Sequence, residues 1–235
     1  HGCIPLDENG TLLSLSIAGE QYSGKAMLDK LDEIANKAYF LQPCEEKSNC
    51  ADHLWYLWSG ARSPLYGKDK MAFFERYFLE DKKLHKENYN AYYHFSEKSE
   101  ICGKILEMFG LDPQRGHIIN GHVPVKIKNG ESPVKADGRL FVIDGGISKA
   151  YQKATGIAGY TLIYDSHSLN LAEHKPFIAG ESEHTPEIHM VERLDRRANI
   201  SDTDKGRELL LQINDLRDLL DAYRSGDIKE GYKVF

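Results

Sequence analysis

The first hundred residues alternate between amphipathic helical patterns and short loops. Alternating apolar and polar residues predict a strand over residues 11–17, and apolar residues at three- and four-residue spacing predict a helix over residues 26–38. The same spacing predicts further helices over residues 46–58, 71–80 and 96–109, with Gly110 and Pro113 ending the last one. This half of the chain is therefore predicted to be mainly helical.

After residue 113 the pattern changes to short apolar runs separated by glycine-rich turns. These runs predict strands over 117–120, 123–127, 140–144, 160–165 and 188–194. A leucine-rich stripe then predicts a last helix over 202–223, capped by Ser201-Asp202 and ended by Gly226. The fold class predicted is α/β (α+β), with one domain over 1–200 and a helical segment over 201–235 that packs on it or lies at an oligomer interface.

Composition and charge narrow the class of protein. Hydrophobic residues make up 41% of the 235 residues, as expected for a globular chain. No run approaches the ~20 apolar residues of a membrane span, so no membrane association is expected. A formal net charge of −6 does not favour binding to nucleic acid. Four sparse cysteines and the lack of a signal-peptide pattern predict a reduced, cytoplasmic protein, although Cys44 and Cys50 are close enough in sequence to pair.

Two glycine-containing turns carry the candidate chemistry. Gly121-His122 follows an apolar run, where a histidine is well placed to bind a metal or a phosphate. The alternative is an ordinary turn histidine. Gly145-Gly146 precedes Lys149 and Tyr151, a cation and a hydrogen-bond donor suited to an anionic group. The alternative there is a simple tight turn.

Six ordered segments together resemble a known enzyme family. They are His1–Leu6, Leu54–Trp58, Ser63–Met71, Ile118–Val125, Val142–Gly146 with Ser148–Tyr151, and Gly156–Leu162. This series is similar to the Firmicutes-type, class III fructose-1,6-bisphosphatases of the calcineurin-like metallophosphoesterase superfamily. The resemblance implies a layered β-sandwich flanked by helices and a phosphatase that removes the 1-phosphate of fructose 1,6-bisphosphate in gluconeogenesis.

The resemblance also implies site residues. His1 matches the superfamily's His-Gly block and His122 its Gly-His block, so both are expected to bind metal, with manganese as the expected ion in a dinuclear site. Such a metal pair activates a water and clamps the phosphoryl oxygens. By analogy with related phosphatases, Arg62, Lys149 and Tyr151 are expected to contact the sugar phosphate.

The sequence departs from the superfamily in one large respect. The Gly-Asp-x-His, Gly-Asp-x-x-Asp-Arg-Gly and Gly-Asn-His-Glu/Asp blocks, which supply most ligands, do not occur in it. The chain is therefore expected to be the C-terminal portion of a longer enzyme, inactive by itself, that works with the missing N-terminal portion and forms a homo-oligomer. Two alternatives stay open: a phosphatase acting on phosphoproteins or nucleotides, and a non-catalytic regulatory or oligomerisation module supported by the last helix and the tyrosine-rich region 88–95.

Overall fold

The computed structural model describes residues 2–146, 148, 151, 154–157, 159–176, 185–229 and 231. Within these residues the helices are α1 (Gly24–Phe40), α2 (Glu45–Ser59), α3 (Phe73–Phe78), α4 (Tyr92–Phe95), α5 (Ser99–Met108) and α6 (Asp204–Ser225). The strands are β1 (Ser14–Ile17), β2 (Glu20–Ser23), β3 (Ile118–Asn120), β4 (Val134–Lys135), β5 (Leu140–Val142), β6 (Gly159–Tyr164), β7 (Ser168–His174) and β8 (Glu187–Arg193). The mixed α/β class is confirmed.

The strands form three small sheets among the described residues. β1 and β2 make an antiparallel hairpin whose turn residues, Ala18 and Gly19, both have positive φ, at 51° and 87°. This conformation matches the twist of a two-residue hairpin. The second sheet has the order β3-β5-β4, with β3 parallel and β4 antiparallel to β5, and the third has the order β6-β7-β8.

Burial follows the predicted stripes of the first helices. The apolar face of α1 packs with the hairpin and α2 in a cluster of Ile17, Met27, Leu31, Ile34, Ala38, Cys50 and Leu57. Two further clusters lie around Tyr92 with Ile105 and around Cys102 with Leu140. All four cysteines are free in the structure, and the reduced state expected from the sequence stays a prediction.

Two sequence-based predictions need correction. The strand predicted over 123–127 is not formed, because His122 takes a left-handed conformation before it and Pro124 has no N–H to donate. Residues Ile127–Asn129 instead form a 3-10 turn that ends at Gly130. The last helix begins later than predicted, with the Thr203 hydroxyl accepting the Gly206 N–H at 3.0 Å, whereas its end at Gly226 is confirmed.

The chain divides into two compact units. One contains residues His1–Thr161 and Ala172–Ile188, and the other contains Leu162–Leu171 and His189–Phe235. The boundary predicted at residues 200 and 201 stays a prediction. No described helix has the combination of length and hydrophobicity needed to cross a bilayer.

Candidate phosphate-binding cleft

His122 lies in a strained turn directly after β3. Its φ is 67°, in the left-handed region that non-glycine residues seldom occupy, and the Val123 N–H donates to the Gly121 carbonyl at 2.8 Å. A non-glycine residue pays ~1–2 kcal/mol for such a conformation. Strain of this kind is found preferentially where a side chain must be aimed at a ligand. The strained turn therefore favours a ligand-binding role for His122 over that of an ordinary turn histidine.

The parallel pairing of β3 and β5 brings two predicted segments together. Asn120 pairs with Val142, so the residues that follow both strands leave the same edge of the sheet. The Ile143 N–H donates to the Asn120 carbonyl at 2.9 Å, and the Val125 N–H donates to the Asp144 carbonyl at 2.8 Å. Ligand sites commonly form beyond the carboxyl ends of parallel strands.

A cleft of about 740 Å³ lies at this edge. Its lining includes His122, Asp144, Ser148, Tyr151 and Tyr160. Tyr151 is 61% exposed, so its hydroxyl is accessible to a bound molecule. The structure therefore places His122 and Tyr151, two residues predicted from widely separated motifs, on the same cleft.

The two glycines after β5 have a local packing role. A Cβ on Gly145 would lie 2.7 Å from the backbone of Gly159, and Gly146 has a φ of 76° with its N–H bound to the Asp144 carboxylate at 2.7 Å. Both observations favour the tight turn over a backbone that approaches a ligand. The turn still matters for the cleft, because it directs the chain from Asp144 to Tyr151.

Two adjacent tyrosines connect the segments that carry the predicted metal ligands. The Tyr93 hydroxyl donates to the carbonyl of Gly2 at 3.0 Å, and the Tyr92 hydroxyl lies 3.1 Å from the Asn120 side-chain amide that donates to it. Burial raises the pKa of Tyr92 to about 12, so its phenol stays protonated. Burial likewise raises the pKa of Tyr93.

Sequence reasoning missed the role of these tyrosines. It linked region 88–95 to oligomerisation, yet Tyr92 is only 2% exposed. The residue that could have indicated this structural role is Asn90. Its side-chain oxygen accepts hydrogen bonds from the backbone N–H groups of Leu6 and Tyr92, and so connects the N-terminal segment to α4.

Of the other predicted site residues, the structure describes Arg62. Arg62 is exposed, donates to the Ser14 carbonyl at 3.4 Å, and is not among the lining residues. His1 and Lys149 lie outside the described residues. Their predicted roles, and that of Arg62, stay predictions.

The donor types at the cleft suit a metal, but their number does not complete a site. Imidazole and carboxylate are ligands that manganese accepts, and His122 and Asp144 supply one of each. Among the described residues, no group of three or more His, Cys, Asp or Glu side chains is arranged to hold an ion. A metal centre at this cleft would therefore need ligands from other residues.

Comparisons with known proteins give the family. The model of the Firmicute fructose-1,6-bisphosphatase family matches residues 1–225. A Clostridium botulinum protein named fructose-1,6-bisphosphatase class 3 is 52% identical to this chain over 98% of the chain's length. A protein of the same name from Clostridium acetobutylicum is 51% identical to it over 99%. One from Bacteroides fragilis is 52% identical over 98% of the chain.

The match covers only part of these relatives. The chain spans 36% of the length of each of the three. No solved structure gives a significant match. The near-complete match of the family model nevertheless confirms the resemblance seen in the sequence, and the chain belongs to the Firmicute fructose-1,6-bisphosphatase family.

Proposed function

We propose that this chain is part of a cytoplasmic, metal-dependent phosphatase that removes the 1-phosphate of fructose 1,6-bisphosphate in gluconeogenesis. The observation that carries the proposal is the family match over residues 1–225, joined to a cleft that collects His122 and Tyr151. The cleft combines phenol hydroxyls, which can donate hydrogen bonds to a phosphate ester, with an imidazole and a carboxylate, which are ligand types for a divalent metal.

Within this proposal, the residues of the cleft have distinct roles. His122 binds a divalent metal, with manganese as the ion proposed, and His1 supplies a second imidazole. The Tyr151 hydroxyl donates a hydrogen bond to a phosphate oxygen. Lys149 and Arg62 supply positive charge that attracts the phosphate groups of the substrate.

The proposal includes two partners. The remaining ligands come from a further portion of a longer polypeptide, as the 36% coverage of the relatives and the incomplete donor set support. The chain is therefore proposed to be inactive by itself. Self-association into a homo-oligomer is also proposed.

The test is a His122→Ala substitution in the longer enzyme that contains this chain. We expect manganese affinity to fall by at least tenfold and the hydrolysis of fructose 1,6-bisphosphate to fall by at least a hundredfold, because the imidazole that binds the metal in this proposal is lost. Isothermal titration with Mn²⁺ and phosphate release measure the two effects. A panel of phosphopeptides and nucleotides assayed in parallel distinguishes the sugar phosphate from the alternative substrates.

The matched control is His53→Ala. His53 lies on α2, where its Nδ1 is 2.8 Å from the Asn49 carbonyl, and it does not line the cleft. We expect both measurements to stay unchanged in this variant. A His122→Ala enzyme with normal manganese affinity and turnover would remove His122 from the site, and robust turnover by the 235-residue chain alone would contradict the proposed incompleteness.

A further inference from the structure

A third tyrosine lines the cleft, and the proposed function gives it no role. Tyr89 belongs to the lining together with His122, Tyr151 and Tyr160, and its side chain is 51% exposed. All four residues lie in the first compact unit, so this part of the cleft is formed within one unit. Among the lining residues that the structure describes, none is lysine or arginine. This part of the cleft is therefore rich in aromatic surface and hydroxyl groups.

The backbone holds Tyr89 in place through the loop that follows α2. Residues 67–69 pair with residues 88–90 in antiparallel orientation, and two backbone N–H···O bonds of 2.9 and 3.0 Å flank the pair Lys68 and Tyr89. In an antiparallel ladder, the pair between two such bonds is the one whose side chains approach most closely. The pairing thus brings the Lys68 side chain against the Tyr89 ring.

Two side-chain contacts fix the Tyr89 ring. The Lys68 Nζ lies 5.2 Å from the centroid of the ring, and the same Nζ donates to the Glu87 carboxylate at 2.9 Å. Because the Lys68 and Glu87 side chains are only 15% and 14% exposed, the ammonium group has little freedom to move. The Tyr93 ring meets the Tyr89 ring edge-on, with a centroid distance of 5.1 Å. A ring ordered in this way loses little conformational freedom when a ligand packs on it.

The chemistry of this ring favours the sugar part of a sugar phosphate. The face of an aromatic ring carries partial negative charge, which attracts the weakly positive hydrogens of the C–H bonds on a sugar. Inorganic phosphate has no such apolar surface. A second anionic group would need a cation, and the charge of Lys68 is already balanced by Glu87. The Tyr89 ring therefore suits the carbon skeleton of the substrate better than a phosphate.

We propose that Tyr89 is a specificity-determining residue of the cleft, whose ring packs on the carbon skeleton of the sugar while the reacting phosphate lies at His122 and Tyr151. This inference rests on the proposed function, because it requires a sugar phosphate in the cleft. The contact is made by a part of the substrate that does not react. It therefore contributes to affinity for the sugar phosphate and leaves the chemical step unchanged.

The test is a Tyr89→Leu substitution in the longer enzyme that contains this chain, because leucine keeps apolar volume against Tyr93 but removes the flat ring. We expect the dissociation constant of fructose 6-phosphate, the product of the proposed reaction, to rise by about tenfold. The dissociation constant of inorganic phosphate is expected to stay within about twofold. In the hydrolysis of fructose 1,6-bisphosphate, KM is expected to rise by about tenfold with little change in kcat. Isothermal titration and steady-state kinetics measure these values.

Two further variants separate the role of the ring from a general effect on the protein. Tyr89→Phe keeps the ring and removes only the hydroxyl, so it is expected to retain most of the affinity for fructose 6-phosphate. Tyr39→Leu is the matched control, because Tyr39 is 76% exposed on α1 and does not line the cleft. All its values are expected to equal those of the unmodified enzyme. Urea unfolding of each variant reports whether the protein stays folded.

The outcomes distinguish this inference from the proposed function. A Tyr89→Leu enzyme that binds fructose 6-phosphate normally overturns the inference, and the proposed function then stands. A folded variant that loses affinity for fructose 6-phosphate and inorganic phosphate alike also overturns it, because the effect is then not specific to the sugar. An unmodified enzyme that neither binds fructose 6-phosphate nor hydrolyses fructose 1,6-bisphosphate overturns the proposed function, and the inference with it.

Discussion

At the scale of single residues, the cleft depends on side chains that do not line it. Tyr92 is almost fully buried and holds Asn120, two residues before His122, while Tyr93 holds the Gly2 carbonyl. These contacts fix the chain at Gly2, next to His1 in sequence, and at Asn120, two residues before His122. Their effect is positional, so their loss is expected to appear first in stability.

The first residue-scale prediction concerns Tyr92→Phe. Removing the hydroxyl leaves the Asn120 amide without this partner, so we expect the free energy of unfolding at pH 7 to fall by ~1–2 kcal/mol. Urea denaturation followed by circular dichroism measures the change. The exposed Tyr39, at 76%, provides the control Tyr39→Phe, for which no change beyond ~0.5 kcal/mol is expected.

The same variant predicts a change in pH dependence. The pKa of Tyr92 rises from 10.0 to about 12 on folding because the phenol is buried. Above pH 10 the unfolded chain releases a proton that the folded chain retains, so the free energy of unfolding decreases toward pH 12 by at most ~1.4 kcal/mol per pH unit for this group. Its stabilising effect is fully present below pH 10.

The comparison between variants isolates this contribution. Tyr160 and Cys3, whose pKa values burial also raises to about 12, give both proteins a common pH-dependent loss. The unfolding free energy of Tyr92→Phe is therefore expected to decline less steeply between pH 10 and 12 than that of the unmodified chain. If the unfolding free energies of the two proteins declined equally with pH, the pKa of Tyr92 would be the same in the folded and unfolded states.

At the scale of elements, parallel pairing creates the cleft and close backbone packing shapes its wall. β3 and β5 end side by side, and the chain after β5 turns at Gly145 against Gly159. The Tyr160 N–H then donates to the Ile143 carbonyl at 3.0 Å, which fixes β6 beside this turn. The backbone beside the cleft is thus packed so closely that position 145 has no room for a side chain.

This packing gives an element-scale prediction for Gly145→Ala. The new Cβ would lie 2.7 Å from the Gly159 backbone, so the strands must separate, and we expect a loss of ~1–3 kcal/mol in the free energy of unfolding. Gly103→Ala on α5 is the matched control, because its Cβ would make an ordinary contact of 3.5 Å with Pro113. Alanine is expected to stabilise that helix by ~0.5–1 kcal/mol. Thermal and urea unfolding of both variants measure these changes. A Gly145→Ala variant with the same free energy of unfolding as the unmodified chain would contradict the expected strain.

For the molecule as a whole, α3 presents a cluster of exposed aromatic residues. Phe73, Phe74, Tyr77 and Phe78 are 55%, 69%, 73% and 77% exposed, and the rings of Phe74 and Phe78 stack at a centroid distance of 6.4 Å. Apolar patches of this kind mark interaction surfaces or aggregation sites. We therefore expect the patch to affect the association of the chain with other molecules more than the packing of its core.

The patch predicts the behaviour of a Phe74→Glu, Phe78→Glu double variant. Because both rings are mostly exposed, we expect the free energy of unfolding to change by no more than ~1 kcal/mol, while light scattering at high concentration and binding of a hydrophobic dye both decrease. Glu75→Gln, in the same helix, serves as the surface control. A loss of several kcal/mol would instead show that the aromatic residues support the fold.

Local sequence pattern was enough to predict the amphipathic helices and the family. α1, α2, α5 and α6 follow apolar stripes at helical spacing, which depend only on neighbours along the chain. It failed at β7, where Ser168 and Asn170 are buried although they are polar. Their side chains bond to one another at 2.8 Å, and Asp165 accepts from Ser168 at 2.9 Å, so a local network satisfies polar groups that sequence patterns place in loops.

Long-range contacts in the fold, which sequence patterns do not specify, bring the candidate residues together. His122 and Tyr151 share a cleft because β3 pairs in parallel with β5, a contact between segments far apart in the chain that no local pattern specifies. The roles of Tyr92 and Tyr93 arise in the same way, since each hydroxyl bonds to a residue distant in sequence. Residue type and spacing fixed the available chemistry, and long-range backbone pairing fixed its arrangement.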